Sequence, residues 1–461
     1  MSINNAFWIQ VYAIITLCFC GVVQYFTGIL AVLWLPVIMA FATTGMLLIQ
    51  TQRTPLALDL SEMMVLVIYL CFLVLALIST FLQGGVTVTI IGIKNEVGMS
   101  LVLFCLLLGF CRESQIYRIS RVLYWIFYAQ FPLVIYQVLI VLPKRVAMRG
   151  EDEKWDSVVG TFGGDPMGGG NTAVMGMFCL LIMLMKLSEL KHGVTTWRSA
   201  ALHIGLGFVL CILGEVKFII LLSPFMLALI WSMPSWVNGV SKVTLKNLLV
   251  IFAVMGGLIS LAIMVLAAGY SSAFGGDAGK SSLSIFLDSL DYIFDTNYIM
   301  AATGELGRLT TIFFWARHSD MWGISSMLFG YGLNATNSGS AVSAGYLNII
   351  FRLVLDSTSL SMLLWEVGIV GTTLFIGLLL WIVRITWPRP LLEISQLDKE
   401  DVQLLCYGPA FTVFIIACLL SLPYSQTLMI IPVLQFLFYL TSGSALVSRR
   451  AVHRSIRREY E

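Results

Sequence analysis

The chain contains twelve apolar stretches that are long enough, or nearly long enough, to cross a lipid bilayer. The hydrocarbon core of a bilayer is about 30 Å thick and needs roughly 20 apolar residues in a helix. Strands of a membrane barrel would instead show about ten residues of alternating polarity. The stretches cover residues 7–26, 28–49, 62–83, 96–111, 118–141, 171–187, 199–214, 218–233, 246–269, 361–385, 404–420 and 426–441. The sequence therefore predicts an all-α polytopic membrane protein with about twelve transmembrane helices, folded as one integral-membrane domain over residues 1–461.

Composition excludes several classes of function. Of the 461 residues, 59% are hydrophobic and 11% are charged, whereas a soluble domain has about 25% charged residues. The net charge of +2 is too small to steer a polyanion. We therefore expect the lipid bilayer as a partner, and neither a soluble enzyme nor a nucleic-acid binder.

The distribution of basic residues predicts the orientation of the chain. Most of the 27 Lys and Arg residues fall on the side of the predicted spans that also holds both termini, and basic residues favour the cytoplasmic side in short loops. We expect the N-terminus and the C-terminus in the cytoplasm.

Two long outer loops carry most of the remaining polar residues, and the first covers residues 142–170. It contains the basic residues Lys144, Arg145 and Arg149, then an acidic run, then glycines ahead of a helix that begins near Asn171. Glycines permit close backbone approach, and a helix N-terminus offers free N–H groups to an anion. An anion site is one interpretation, and a hairpin of mutually neutralised surface charges is the other.

The second outer loop, residues 270–360, lies between spans nine and ten and is predicted to be partly helical. Residues 284–294 have apolar side chains at three- and four-residue spacing, as in an amphipathic helix. Arg308 and Arg317 are nine residues apart and so lie on opposite sides of a straight helix. Trp315 shares the face of Arg308, and this pair suits a sugar phosphate. An interfacial Trp beside a snorkelling Arg is the alternative.

Other ionisable residues lie at the mouths of the spans. Glu215 and Lys217 interrupt the apolar stretch 199–233, which predicts either a phosphate-binding lysine beside a carboxylate or a solvated turn. Arg352 and Asp356 are four residues apart and can pair on one helix face, as a brace or as part of a site. His318 is the histidine that the topology places on the outer side, where it is a candidate general base or a structural residue.

Together these segments resemble the O-antigen polymerase and O-antigen ligase superfamily of bacterial inner-membrane glycan enzymes. Members show a Gly-Arg pair, a Trp several residues on, a Gly-Tyr-Gly turn, and a glutamate and glycine that open the next span. The matching segments are Gly307–Arg308, Trp315, Leu328–Gly332 and Leu363–Gly371, with Val159–Gly163, Pro166 and Asn171 in the first outer loop. The motif resemblance covers residues 307–371, and the topology resembles the family over most of the chain.

Two departures from the family pattern favour a polymerase over a ligase. The ligase branch commonly has a His about eleven residues before the glycine that matches Gly368, and here that position is Ser357, preceded by Asp356. The family also tends to have an Arg at the outer end of the span that matches 199–214, where this chain has Glu215 and Lys217.

The resemblance implies a metal-independent, inverting glycosyltransferase without a cofactor. It would join oligosaccharide repeat units, each carried on undecaprenyl pyrophosphate, on the periplasmic side of the inner membrane. Chain-length regulators and export proteins remain open as partners. The residues expected to bind the pyrophosphate or the sugar are Arg308, Lys217, Arg317, Arg145, Arg149, Arg352, Trp315 and Tyr331. The candidates for the general base are Asp356, Glu215 and His318, and no metal ligands are expected.

Two other functions remain open at this point. One is the ligase of the same superfamily, which transfers the finished glycan to a lipid A-type acceptor. The other is a flippase or other transporter for lipid-linked oligosaccharides, although the sequence lacks the clear half-to-half repeat that transporters tend to show.

Overall fold

The computed structural model describes residues 4–51, 58–150, 157–167, 169, 171–237, 249–250, 252–253, 256–261, 263–264, 291–301, 303–339, 343–390 and 399–460. Within these ranges the chain forms helices joined by turns, and its β-structure is limited to isolated bridges such as Glu305 with Val354. The prediction of an all-α protein is confirmed for this part of the chain.

The first half of the chain forms long helices, several of which continue through a π-helical turn. The helices are α1 (Asn5–Ile14), α2 (Cys20–Thr27), α3 (Leu35–Thr51), α4 (Leu60–Gly92), α5 (Leu101–Leu107), α6 (Glu113–Tyr136), α7 (Leu142–Arg149), α8 (Thr172–Lys191), α9 (Trp197–Leu213) and α10 (Lys217–Ser232). The π turns are Ile15–Phe19, Ile93–Val97 and Gln137–Val141, and 3-10 turns cover Leu30–Trp34 and Gly98–Ser100.

Short helices occupy the region of the second predicted loop, and long helices follow it. The short helices are α11 (Asp291–Phe294), α12 (Arg308–His318), α13 (Ile324–Phe329), α14 (Tyr346–Phe351) and α15 (Ser359–Glu366). The helices after them are α16 (Gly368–Thr386), α17 (Lys399–Ser421), the four-residue α18 (Thr427–Ile430) and α19 (Pro432–Tyr460).

Seven helical stretches in the described part of the chain are long and apolar enough to cross a membrane. They are Asn5–Thr27, Leu30–Gln50, Leu60–Leu107, Glu113–Met148, Thr172–Lys191, Gly368–Thr386 and Leu404–Ser421. Helices α9 and α10 are apolar but shorter, and half of the predicted span 246–269 lies outside the described residues. The protein is a multi-pass helical membrane protein.

The start of the first predicted outer loop is helical instead of irregular. Residues 142–149 form α7, which continues the helical stretch that begins at Glu113. The helical stretch contains Pro132 and Pro143, the latter just after the π turn Gln137–Val141. It ends at Gly150, which has a φ of 97°.

A buried ion pair joins the beginning of α4 to the C-terminal helix. The Arg450 guanidinium donates to both carboxylate oxygens of Glu62, at 2.6 and 3.0 Å, and Glu62 is 2% exposed. Asp59 caps α4 by accepting from the Glu62 N–H at 2.7 Å and pairs with Arg449 at 2.7 Å. Because a bidentate pair fixes both distance and orientation, it sets the register of α19 against α4.

The region between α11 and α16 has a small core of its own, separate from the main core of the helical bundle. Its buried side chains are Leu306, Tyr331, Ala335, Leu347, Leu355 and Trp365. The Gly-Tyr-Gly turn packs directly on the junction of α15 and α16, where Tyr331 N–H donates to Trp365 O at 2.7 Å and Gly332 N–H donates to Glu366 O at 2.8 Å. These contacts fix the short helices above the bundle.

Candidate active site

A cavity of about 350 Å³ lies where the first residues of three helices meet. Thr172 begins α8, Lys217 begins α10 and Arg308 begins α12. The complete lining is Thr172, Ala173, Glu215, Val216, Lys217, Tyr292, Tyr298, Met300, Glu305, Leu306, Gly307, Arg308, Tyr424 and Ser425. We call it the Arg308 cavity.

Arg308 is held by contacts on several sides. Its Nη1 donates to the backbone oxygen of Ser357 and to Glu305 Oε1, the latter at 3.3 Å. The guanidinium carbon lies 5.4 Å from the Tyr292 ring and 5.7 Å from the Tyr424 ring, which is within the range of a cation–π contact. The side chain is 20% exposed, so the guanidinium is partly desolvated and still reachable from the cavity.

The two tyrosines beside Arg308 form a rigid wall. Their hydroxyl groups are 2.9 Å apart, and Phe218 stacks on Tyr424 with ring centroids 4.4 Å apart. Tyr424 is therefore enclosed between Phe218 and Arg308. Tyr298, which also lines the cavity, leaves an aromatic ring available to a ligand.

Gly307 allows Arg308 to reach this position. A Cβ on Gly307 would lie 2.7 Å from the backbone oxygen of Tyr292 and 3.0 Å from Tyr298 Cβ, which is closer than side chains approach. The Gly307 N–H donates to Tyr298 O at 2.9 Å, and Thr310 Oγ1 donates to Asp295 O at 2.9 Å. The Gly-Arg pair thus joins the start of α12 to the segment that follows α11.

Glu215 and Lys217 also line the cavity, Glu215 from the turn between α9 and α10 and Lys217 from the first position of α10. Glu215 has a φ of 54°, an uncommon backbone conformation for a residue with a side chain. Residues with such backbone conformations cluster at functional sites. The turn places Glu215 and Lys217 along one cavity, although on a helix they would point about 200° apart.

Part of the first predicted loop supports this turn from inside the bundle. Gln137 Oε1 accepts from the N–H groups of Val159 and Gly160, at 2.9 and 2.8 Å, and Gln130 Oε1 accepts from Thr161 N–H at 2.8 Å. Gln130 on α6 and Gln137 at the start of the π turn that follows it are seven residues apart, and both bind the same segment 159–161. A Cβ on Gly214 would lie 3.3 Å from Val158 O, so this loop lies directly against the residue before Glu215.

The charges and dipoles of the cavity suit a polyanion. The N-terminus of a helix carries a partial positive charge and unpaired N–H groups, and it binds phosphate. Three helices begin at the cavity, and the side chains of Arg308 and Lys217 add full positive charges. Glu215 and Glu305 are the carboxylates in the lining, so the cavity combines anion binding with groups that can accept a proton.

Two of the predicted residues on α12 lie far from the cavity. Arg317 and His318 are at the opposite end of the helix from Arg308, about 14 and 15 Å away at 1.5 Å per residue. The His318 ring stacks on Phe314 at 4.3 Å, and its Nδ1 lies 2.9 Å from Phe314 O. His318 therefore does not line the Arg308 cavity.

Two predicted sugar-binding aromatic residues serve as packing groups. Trp315 Nε1 donates to Leu364 O at 3.0 Å, which fastens α12 to α15. Tyr331 is 1% exposed, and its hydroxyl group donates to Ser319 O at 2.8 Å. Neither residue lines the Arg308 cavity.

Asp356 is buried away from the cavity. Its side chain is fully buried, and its Oδ2 accepts from the N–H and the Oγ of Ser338 at 2.9 and 2.8 Å. Burial raises the pKa of the Asp356 carboxyl to about 6, although the hydrogen bonds from Ser338 act in the opposite direction. The expected pair with Arg352 does not form, because α14 ends at Phe351 and Arg352 has a φ of 55°, so no helix joins the two residues.

Arg145, a predicted basic residue of the first loop, does not line the cavity either. Arg145 is 4% exposed and acts electrostatically on the hydroxyl group of Tyr25. The side chain of Arg149 lies outside the described part of the structure, as do the acidic run 151–153 and residues 284–290 of the predicted amphipathic helix.

Several cavity residues were absent from the sequence prediction. Glu305, Tyr292 and Tyr298 precede the Gly-Arg pair by 2 to 15 positions. The two tyrosines and the glutamate gave a signal only through that proximity. Tyr424 is 132 residues from Tyr292 and lies in the turn before α18. Nothing in its local sequence marks it.

The described residues contain no group of three or more His, Cys, Asp and Glu side chains placed to hold a metal ion. The chain matches no model of a known protein family, and no curated protein matches it in sequence.

Proposed function

We propose that the protein is a glycan polymerase that transfers an oligosaccharide from a polyprenyl pyrophosphate, such as undecaprenyl pyrophosphate, to a sugar hydroxyl of an acceptor chain. The observation that carries the proposal is the meeting of Arg308, Lys217 and three helix N-termini in one cavity of a membrane protein. A lipid-linked diphosphate is an anion that a membrane enzyme meets at the bilayer surface, and its release supplies the free energy of transfer without a nucleotide.

The cavity supplies the groups that this reaction needs. The acceptor oxygen forms a bond with the anomeric carbon as the bond from that carbon to the phosphate oxygen breaks, and the electron pair leaves with the pyrophosphate. Arg308 and Lys217 stabilise the charge that develops on the leaving group. Glu215 takes the proton of the acceptor hydroxyl, Tyr298 stacks on the sugar, and direct displacement inverts the anomeric carbon.

We further propose that the chain crosses the inner membrane twelve times, with both termini in the cytoplasm and the Arg308 cavity on the periplasmic side. The stretch Leu60–Leu107 supports a number above seven, since 48 residues of helix would be about 72 Å long and exceed the core of a bilayer. Gly85, with a φ of 69°, interrupts this stretch. Two crossings therefore fit it better than one.

Reconstitution with a defined substrate tests the proposed activity. Purified protein in liposomes receives repeat units on undecaprenyl pyrophosphate, without nucleotide sugar, and the lipid-linked products are separated by size. We expect a ladder of longer glycans that Arg308→Ala abolishes. Arg317→Ala is the matched control, because it removes an exposed arginine from the same helix about 14 Å away, and it should retain the ladder.

Other outcomes distinguish the alternatives. Transfer to an added lipid A-type acceptor without a ladder would identify a ligase. Movement of the lipid-linked substrate across the bilayer, without either product, would contradict the enzyme proposal and favour a transporter. A ladder that persists in Arg308→Ala would support polymerase activity but refute the proposed role of the Arg308 cavity in it.

A further inference from the structure

A second polar pocket lies at the end of the bundle opposite the Arg308 cavity. It has a volume of about 450 Å³ and lies between α6, the end of α8, the start of α9 and the start of α17. Thr172 lines the cavity and Lys186 lines the pocket, and 14 residues of α8 separate them by about 21 Å. We call it the Arg121 pocket.

The charged wall of the pocket is preorganised around a buried carboxylate. Glu189, which is 4% exposed, accepts from the hydroxyl groups of Tyr124 and Tyr407 at 2.9 and 2.7 Å. It also accepts from Lys186 Nζ at 2.7 Å, and that ammonium group lies 4.1 Å from the Tyr124 ring. The Glu189 carboxylate therefore fixes the position of the Lys186 ammonium group. An ammonium group has three N–H donors, so two remain for a ligand.

Arg121 gives the pocket an uncompensated positive charge. Its guanidinium lies over the Tyr117 ring at 5.9 Å, and the ion pairs found among the described residues do not include it. The charges of Lys186 and Glu189 cancel, so Arg121 gives the lining its net positive charge. Arg118, one turn before Arg121 on α6, adds a further charge at the same end.

The other wall of the pocket carries exposed aromatic side chains. Trp125 and Tyr128 line the pocket and are 71% and 45% exposed. Nearby Trp197, at the start of α9, is 67% exposed. An exposed Trp near a helix end, such as Trp197, marks the level of the lipid headgroups. Trp125 and Tyr128 lie 12 and 15 residues into α6, farther toward the acyl chains. A basic pocket between helices at this level has the chemistry that binds the phosphate of an anionic lipid.

We propose that the Arg121 pocket binds the headgroup phosphate of an anionic glycerophospholipid from the leaflet opposite the Arg308 cavity. The phosphate contacts Arg121 and Lys186, and the acyl chains lie along Trp125 and Tyr128. The proposal is independent of the glycan reaction, because it depends on a separate pocket and on the membrane location alone.

Lipid titration of the purified full-length protein tests this site. Delipidated protein in a neutral detergent is titrated with phosphatidylglycerol, with phosphatidylcholine and with inorganic phosphate, and thermal unfolding reports binding. We expect stabilisation by phosphatidylglycerol, little by phosphatidylcholine, and a roughly fivefold weaker apparent Kd for phosphatidylglycerol in Arg121→Ala.

Two comparisons make the result decisive. Arg198→Ala removes an exposed arginine at the same end but outside the pocket lining, and it should bind phosphatidylglycerol as the native chain does. Arg121 is itself exposed, so its removal should leave the fold intact in the absence of lipid. Equal effects of the two phospholipids, equal losses in the two variants, or stabilisation by inorganic phosphate alone would each overturn the proposal.

Discussion

Glu215 and Glu305 are the two carboxylates of the Arg308 cavity, and their contacts assign them different roles. Glu305 accepts from Arg308 at 3.3 Å, so it orients the guanidinium and offsets its charge. Glu215 and Lys217 also line the cavity, and in the reaction proposed above Glu215 accepts the proton of the acceptor hydroxyl group.

We therefore predict that Glu215→Gln lowers kcat roughly 10²- to 10⁴-fold with a small change in KM, because a general base contributes about this much. Glu305→Gln should change KM more than kcat, since it alters how strongly Arg308 binds the anion. Initial rates of glycan elongation against donor concentration measure both constants. Asp356→Asn is the matched control outside the cavity, and a kcat loss in Asp356→Asn as large as that in Glu215→Gln would contradict the assignment.

Asp356 itself should make stability depend on pH. Burial raises its pKa to about 6 from an ordinary value of 3.8, so the folded state binds the proton more tightly than the unfolded state. Its contribution to stability is present below about pH 4 and is lost as the pH rises through 6, by about 3 kcal/mol in total.

Thermal unfolding of detergent-purified protein between pH 4.5 and 7.5 checks this second prediction. We expect Asp356→Asn to lose less stability than the native chain over that range. Ser338→Ala should lose more, because it removes a hydrogen bond that favours the ionised carboxylate. Parallel curves for all three proteins would show that Asp356 does not titrate there.

At the residue scale, three of the residues predicted from the sequence, Arg308, Lys217 and Glu215, line one cavity. Arg308 and Lys217 line one cavity because each begins a helix, and a helix start is visible in the sequence as the end of a glycine-rich or charged interruption. His318 was chosen from its predicted outer position, and Asp356 lies beside Ser357, where the ligase branch commonly has a His. Whether such a residue faces a cavity or a core depends on packing between distant segments, which local sequence does not specify.

At the scale of elements, the glycine motifs of the second loop have a packing role. Gly330 has a φ of 78°, and a Cβ there would lie 2.3 Å from Glu366 O. Gly368 has a φ of 66°, and its Cβ would lie 2.4 Å from Leu328 O. Because neither glycine has a Cβ, the backbone of Glu366 can approach Gly330 and the backbone of Leu328 can approach Gly368. The two motif segments 328–332 and 363–371 therefore pack against each other through their backbones.

We predict that Gly368→Ala disrupts this contact, because it adds both a clash and an unfavourable backbone conformation. Gly377→Ala is a matched control on the same helix, since a Cβ at Gly377 meets nothing within 4 Å. We expect Gly368→Ala to lower the yield of folded protein or the Tm clearly, and Gly377→Ala to leave both unchanged or slightly raised. Size-exclusion profiles and thermal unfolding measure the difference, and equal behaviour of the two variants would refute this contact.

Element lengths were predictable wherever the apolar pattern alone determined them. The helices near 7–26, 28–49, 171–187 and 404–420 follow directly from apolar runs of sufficient length. The extension of α6 through a π turn into α7 was missed, because the basic residues of α7 suggested a loop. A helix needs only continuous backbone hydrogen bonds, and charged residues outside the apolar layer do not interrupt them.

At the scale of the whole molecule, the two ends of the bundle differ in chemistry. One end holds the Arg308 cavity, at which three helices begin. The other end holds the Arg121 pocket, which lies beside exposed aromatic residues. The buried pair of Glu62 and Arg450 lies at the start of α4 and fixes the C-terminal helix against it. A bilayer that enclosed the apolar spans would therefore separate the two polar sites into its two surfaces.

The proposed orientation can be tested by labelling one residue at each end. Thr303 is exposed near the cavity and Arg198 is exposed near the pocket, so Thr303→Cys should react with a membrane-impermeant maleimide in intact spheroplasts. Arg198→Cys should react only after lysis, because the lipid core excludes the charged reagent. The native cysteines are buried except Cys18 and Cys71, and the unsubstituted chain supplies their background. Labelling of Arg198→Cys before lysis, with Thr303→Cys protected, would place the cavity in the cytoplasm, where a polymerase of exported lipid-linked units could not act.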